Sequence, residues 1–275
     1  MSTFVQPRQT AAKELSYGVI CAHIPNGDGD VKQKVSEPLF LCVERMTSIG
    51  FICLYTGQYS CSHAPYLKKL LKNCTYDEAK AISSGNYAAV TSWLNERSGG
   101  KSYKYRNNYE TRYKRLFDNP ACRLDTLFEE CVNEGHVWPT HPDIEFPKGR
   151  KEGKETDRET AMREFSEEAS LPETYDIELL PGEYMYSYTG INNRPYSTIY
   201  FTALITSDTA SLLDTDKVRL NNEVYANHWL TFSQYKQRTY GNTSHRHRIK
   251  ILEAFRNSLF KISQRASSPS KTCAH

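Results

Sequence analysis

The chain has 275 residues, 39% hydrophobic and 24% charged, which describes globular material for one ordinary domain with a large insertion, or for two small domains. A net charge of +3 excludes a general polycation, so any nucleic-acid surface must come from local clustering. No run of eighteen apolar residues is present to span a membrane, and the first residues lack the apolar core of a signal peptide.

In chain order, residues 16–24 (SYGVICAHI) are apolar and β-branched and predict a first strand, followed by a turn-rich loop. Residues 38–44 (PLFLCVE) predict a second strand, and 144–150 (IEFPKGR) the end of a third. About ninety residues lie between Arg45 and Gly135, largely with helical patterning. Helices are predicted over 64–73, over 76–96 behind a Thr75-x-x-Glu78 capping box, over 105–117 and over 124–132. A loop that long without structure of its own is uncommon. Residues 46–135 therefore read as a helical insertion in a discontinuous domain formed by 12–45 and 136–263. Strands follow at 177–190, 194–205 and 223–232, then an amphipathic helix over 243–262 with Ile249, Leu252, Phe255, Leu259 and Ile262 on one face. Residues 264–275 read as a disordered tail. The eight cysteines form no Cys-x2-Cys pair, and Cys61 with His63 lacks a second ligand pair, so free thiols in a reducing, cytoplasmic compartment are expected.

The densest chemistry lies in residues 149–171. Gly149 is followed by Glu155 and then by Arg163-Glu164-Phe165-x-Glu167-Glu168. Thr156 or Asp157 can cap a helix here, with Glu159 or Thr160 in its first turn. Ala161, Phe165 and Ala169 give it an apolar face, and Glu164, Glu167 and Glu168 share another. Three carboxylates within one turn repel each other, and a hard divalent cation relieves that repulsion. Oxygen-only ligands favour Mg²⁺ or Mn²⁺, which neutralise pyrophosphate oxygens and activate water. Gly149 and Gly153 let the preceding loop bend against the helix start. A merely solvated charged helix would not explain why loop and helix carry the pattern jointly.

This pattern resembles the Nudix box, Gly-x5-Glu-x7-Arg-Glu-U-x-Glu-Glu-x-Gly-U with U apolar. One fixed position departs: Ser170 stands where the family has glycine, and Pro172 supplies a helix stop instead. The resemblance implies an α/β (α+β) fold, the Nudix α/β/α sandwich with a mixed sheet, here with the helical insertion. It implies a hydrolase acting on a nucleoside diphosphate linked to another group. Glu164, Glu167 and Glu168 would be ligands of Mg²⁺ or Mn²⁺, with Glu167 and Arg163 in the catalytic set. Arg163 would pair with Glu155 to brace loop against helix, and Lys148, Gly149 and Glu155 would shape the phosphate loop.

Flanking residues narrow the substrate. Phe146-Pro147-Lys148-Gly149-Arg150 resembles the Phe-Pro-Lys-Gly-Lys of cytoplasmic mRNA-decapping enzymes, although dinucleoside-tetraphosphate hydrolases share Pro-Lys-Gly. Glu223-Val224 with Trp229 resembles the Glu-Ile-x4-Trp strand of decapping enzymes, which makes Glu223 the candidate general base. The insertion, including Tyr109 and residues 112–117, resembles that of the Nudix decapping enzymes of large DNA viruses such as African swine fever virus and mimivirus. The implied reaction converts capped mRNA to 7-methyl-GDP and 5′-monophosphate RNA, for a viral protein in the host cytoplasm. The insertion would grip the RNA body through Arg97, Lys101, Lys104, Arg106, Arg112, Lys114 and Arg115. Tyr103, Tyr105, Tyr109 and Tyr113 would be stacking platforms among them. A second basic run, His245 to Lys250, either lines an RNA channel or is simply solvated. Tyr186 and Tyr188 are candidates to sandwich the cationic cap base. Two alternatives remain: a hydrolase of diphosphoinositol or dinucleoside polyphosphates, and a non-enzymatic RNA-binding protein with a degenerate Nudix domain. Intact Glu164, Glu167 and Glu168 argue against the last.

Overall fold

The computed structural model describes residues 14–25, 37–59, 63–98, 108–169, 176–191, 193–205, 223–239 and 245–266. Among the described residues seven strands form one mixed sheet: β1 (Glu14–His23), β2 (Leu39–Arg45), β3 (Ile144–Glu145), β4 (Lys148–Gly149), β5 (Ile177–Thr189), β6 (Pro195–Ile205) and β7 (Val224–Thr231). The long pairing of β1 with β6 is parallel, and the others are antiparallel. β1 and β2 pair at Ala22 with Phe40 and at His23 with Leu39. Elsewhere the chain from Asp143 to Gly149 bridges them: β3 pairs with β2, β4 with β1, and Val19 N–H donates to the Pro147 carbonyl at 3.1 Å.

Alternation along the strands builds two cores. Tyr17, Val19, Cys21 and Leu41 pack against Ala161, Phe165 and Ala169 of the box helix, α7 (Asp157–Ala169). Ile20, Ala22, Phe40 and Cys42 pack on the other face, against α8 (Phe232–Arg238) and α9 (Arg246–Ala266). These are the helix layers on both faces of a mixed sheet that the sequence led us to expect. Among the described residues no helix is long and apolar enough to cross a membrane.

Between β2 and β3 lie α1 (Ile49–Thr56), α2 (Ala64–Leu71), α3 (Tyr76–Ile82), α4 (Tyr87–Arg97), α5 (Tyr109–Asp118) and α6 (Leu124–Asn133). They share a core of their own, centred on Phe51, Leu54, Leu67, Leu70, Val90 and Leu127. Buried Glu78 stitches two helix starts together, because its carboxylate accepts the N–H groups of Thr75 (2.9 Å) and Ser48 (2.8 Å). Lys68 of α2 and Lys72, just past its end, pair with Glu134, just past the end of α6.

Several expectations need correction. The single helix over 76–96 is two, because Gly85 turns the chain at φ +72 and Asn86 then caps α4 by accepting the Ala89 N–H. The helix over 105–117 begins at Tyr109 among the described residues. α1 and α8 were not foreseen. Phe232 belongs to α8, whose capping box pairs Thr231 with Gln234. α9 extends to Ala266, three residues into the stretch read as tail. Residues 267–275 and Cys61 lie outside the described residues.

Candidate active site

The box loop and helix are locked by their own side chains. Thr156 caps α7 reciprocally: its hydroxyl accepts the Glu159 N–H (3.3 Å), and the Glu159 carboxylate accepts the Thr156 N–H (2.7 Å). Arg163 is the brace. Its Nε donates to Glu155 (2.7 Å) and its Nη2 to the Arg150 carbonyl (2.8 Å), so loop and helix share one guanidinium. That contact holds the Glu155 carboxyl down to about 2. The Nη1 of the same residue reaches Glu164 at 3.0 Å and Glu167 at 3.2 Å.

Gly149 has a steric reason. A Cβ there would stand 2.0 Å from the Glu164 carboxyl carbon, so only a glycine lets the loop lie against that carboxylate. Burial pushes the Glu164 carboxyl up, against the opposing pull of Arg163. Burial also pushes Glu168 up, to about 7, although Lys148 opposes it and the Lys148 N–H donates to its Oε2 at 2.8 Å.

One cavity of about 880 Å³ gathers these groups. Glu164, Glu167 and Glu168 line it from α7, and Glu223 lines it from the residue before β7. The Glu223 backbone is fixed by its carbonyl, which accepts the Met46 N–H at 2.7 Å. Lys148, Gly149, Arg163 and Tyr188 complete the set foreseen from sequence that meets here. All four carboxylates offer hard oxygen donors, which suit Mg²⁺ or Mn²⁺. Among the described residues, however, no three acidic, His or Cys side chains converge as a ready-made metal cluster. The physical reason is visible in the bonds above: Arg163 engages Glu164 and Glu167, and Glu168 faces the Lys148 amide. The donor chemistry fits the ions, and Glu167 is the exposed member of the three box glutamates.

Sequence reasoning overlooked Arg45, Gln58 and Tyr196, which also line the cavity. Gln58 is supplied by the insertion, in the loop after α1, beside Tyr59, whose hydroxyl donates to the Arg112 carbonyl at 3.0 Å. The one available signal for Arg45 was a charged pair, Glu44-Arg45, closing an otherwise apolar strand.

The nucleic-acid candidates separate. Lys101, Lys104 and Arg106, with Tyr103 and Tyr105, lie outside the described residues. Arg112, Lys114 and Arg115 are exposed on α5, and Lys114 pairs with Glu110 at 2.7 Å. Tyr113 is not a stacking platform: it is fully buried, with its hydroxyl donating to the Ile82 carbonyl at 2.8 Å. Tyr109 likewise packs on the insertion core. Arg97 is a joint rather than a surface cation, since its Nε donates to the Met46 carbonyl (3.0 Å) and its head lies over Trp93 and Tyr225. The second basic run divides, with Arg246, His247 and Lys250 exposed and His245 and Arg248 buried. Tyr186 does not face the cavity as a clamp. It is buried, it accepts from Arg248 Nε at 3.0 Å, and it stacks directly on Tyr188 with ring centres 5.2 Å apart. Tyr188 does line the cavity, stacked on Tyr196.

The NUDIX domain family model matches residues 131–250. A protein of Acanthamoeba polyphaga mimivirus, provisionally named as an mRNA-decapping protein, is 26% identical over 218 residues, 71% of this chain; the chain spans 59% of that relative's length. Two structures of a C. elegans Ap4A hydrolase, one a binary complex, are 12% identical with TM-scores of 0.40 and 0.37. They cover 88% of this chain and 96% and 98% of their own, a likeness too loose to bear on substrate. Residues 131–250 thus match a NUDIX domain, and the chain resembles a mimivirus protein provisionally named as an mRNA-decapping protein.

Proposed function

We propose that the protein is a metal-dependent decapping hydrolase that cleaves the cap phosphoanhydride to give 7-methyl-GDP and 5′-monophosphate RNA. The observation that carries this reading is the meeting, in one cavity, of the three box glutamates with Glu223 from a separate element. Glu164, Glu167 and Glu168 would hold Mg²⁺ or Mn²⁺, which supplies charge neutralisation and an acidified water. Glu223, at the residue before β7 and not on the helix that carries those ligands, takes the proton from the attacking water as general base. Arg163 holds the box loop and Glu167 until substrate and metal enter. The insertion supports a polymer substrate, because α5 displays Arg112 and Arg115 to solvent and Gln58 reaches the cavity from the same block. Host cytoplasm is the compartment in which a viral decapping activity would meet capped mRNA.

The test is product identification. Cap-labelled RNA, free cap dinucleotide and a dinucleoside tetraphosphate are incubated with the full chain and Mg²⁺ or Mn²⁺. Release of 7-methyl-GDP from capped RNA is the expected result. Turnover of the small polyphosphates alone would replace decapping with small-molecule hydrolysis.

A further inference from the structure

The cavity has a second charged wall that the Nudix box does not account for. We propose that Arg45 and Lys148 grip the phosphate chain of the substrate there, and that buried Glu145 and Arg248 are the positioning residues that aim them. The inference rests on the phosphoanhydride-hydrolase reading and names the part of the substrate that these residues take.

Glu145 is 2% exposed and faces three cations. Its Oε1 accepts from Arg45 Nη1 at 2.8 Å, and its Oε2 meets Lys148 Nζ at 2.9 Å and Arg248 Nη2 at 3.1 Å. Burial alone would raise the Glu145 carboxyl, but Lys148, Arg45 and Arg248 outweigh burial and hold it well below the usual carboxylate range. Within the cluster one carboxylate meets three cations, and Glu168 and Glu223 are the further acidic groups whose charge acts on Arg45. Buried charges are costly unless paired, and apolar side chains would fill the same space more cheaply. Such a cluster is weak evidence for stability, and an anionic ligand entering the cavity would give Arg45 and Lys148 a purpose there.

The three cations are not equivalent. Arg248 is 4% exposed and occupied within the protein: Nε donates to the Tyr186 hydroxyl and Nη1 lies 3.4 Å from His245 Nδ1. It does not line the cavity, whereas Arg45 and Lys148 both do. Glu145 takes one of the five N–H donors of the Arg45 guanidinium, and among the described residues no second acceptor bonds to it. A planar guanidinium with spare donors beside an ammonium suits a chain of phosphates, the first by forked hydrogen bonds and the second as a point charge. The Lys148 backbone also donates to Glu168, so the cationic wall and the carboxylate wall meet in one residue. Arg248 on α9 and Arg45 on β2 then act from distant parts of the sequence through a single carboxylate.

The experiment measures binding without metal. Full-length protein in EDTA is titrated with a methylene-bridged cap dinucleotide and, separately, with 7-methylguanosine, which has no phosphates. Arg45→Met and Arg248→Met are compared with wild type, together with Glu145→Gln and the Glu145→Gln/Arg45→Met double variant. Arg45→Met leaves Glu145 two cationic partners, so that variant tests the grip even where Glu145→Gln fails to fold. We expect Arg45→Met to weaken the dinucleotide at least about tenfold and to leave the nucleoside unchanged. In a separate turnover assay with capped RNA and Mg²⁺, Arg248→Met and Glu145→Gln should raise KM more than they lower kcat. Glu145→Gln should add little in the Arg45→Met background, because a residue acting through another has nothing left to position. Wild-type affinity for the dinucleotide in folded Arg45→Met, or additive losses in the double variant, would overturn the inference. The two readings fail separately: a phosphate grip with no cleavage of capped RNA removes decapping alone, and cleavage with an unaffected Arg45→Met removes the grip alone.

Discussion

Gly149→Ala should separate function from fold. The added methyl group would lie 2.0 Å from the Glu164 carboxyl carbon and 2.2 Å from each of its oxygens, where ordinary contact begins near 3.4 Å. The carboxylate must retreat by about 1.4 Å, and the 3.0 Å bond from Arg163 Nη1 must be remade or lost. What moves is the end of a flexible side chain, so the cost should sit at or below the low end of the roughly 1–3 kcal/mol usual for overpacking. The melting temperature should fall by no more than about 2–4 °C for a chain of this size. Catalysis should suffer far more, because a misplacement of about 1 Å can cost on the order of 10²-fold. Gly18→Ala is the matched control. Its Cβ would meet the Pro147 carbonyl oxygen at 2.3 Å, a backbone atom that cannot swing aside, so it should lose stability first. Thermal melts and turnover of capped RNA are measured on both variants. Gly149→Ala with wild-type kcat would show that the position of Glu164 is immaterial, and the site as drawn would be wrong.

Other perturbations have equally definite outcomes. Glu167→Gln keeps size and helix propensity, and kcat should drop by at least about a hundredfold with the melt unchanged. Glu223→Gln should cost roughly 10²–10⁴-fold in turnover with little change in substrate affinity, and should flatten the acidic limb of the pH–rate profile; an unaltered profile would return the base to the box glutamates. Neutralising Arg112, Lys114 and Arg115 together should weaken capped-RNA binding and flatten its salt dependence while sparing small polyphosphates, as filter binding across salt concentrations would show. Glu44 supplies a stability probe outside the cavity lining. Burial would raise its carboxyl, but the bond from His228 and the charge of Arg238 outweigh burial and lower it below 4.5. A depressed folded value means stability that is present above the unfolded value and lost as pH falls through the folded one. The wild-type melting temperature should therefore decline below about pH 4.5, and Glu44→Gln should decline less steeply.

The sheet and the box helix were legible because their apolar positions repeat with period two or along a helix face, and because Thr156 and Glu159 spell a start signal. α1 was not legible. Its sequence, IGFICLYT, is apolar on nearly every side, since Phe51 and Cys53 to Thr56 are all buried, and such a run has no period to read. α8 was hidden because its capping Thr231 is also the last residue of a strand. Among site residues, the box glutamates announce themselves through spacing. Arg97 and Tyr113 look like surface residues in a basic, aromatic stretch, and only the packing of α4 and α5 turns them inward. Glu145 and Arg248 are a hundred and three positions apart, and no local pattern announces that two charges so distant will be buried against each other.

The insertion enters and leaves the sheet across a single rung: Glu44 pairs with Ile144, and the Arg45 N–H donates to the Asp143 carbonyl at 3.0 Å. To the sheet, six helices are thus topologically equivalent to a hairpin turn. Closure entropy rises only about 0.6 kcal/mol for each doubling of loop length, so lengthening that turn into a helical block carries a small thermodynamic penalty. The doorway lies beside Arg45, on the cavity wall. A lineage could therefore exchange what passes through it, and with it the substrates admitted, while every strand register and every box glutamate stays in place.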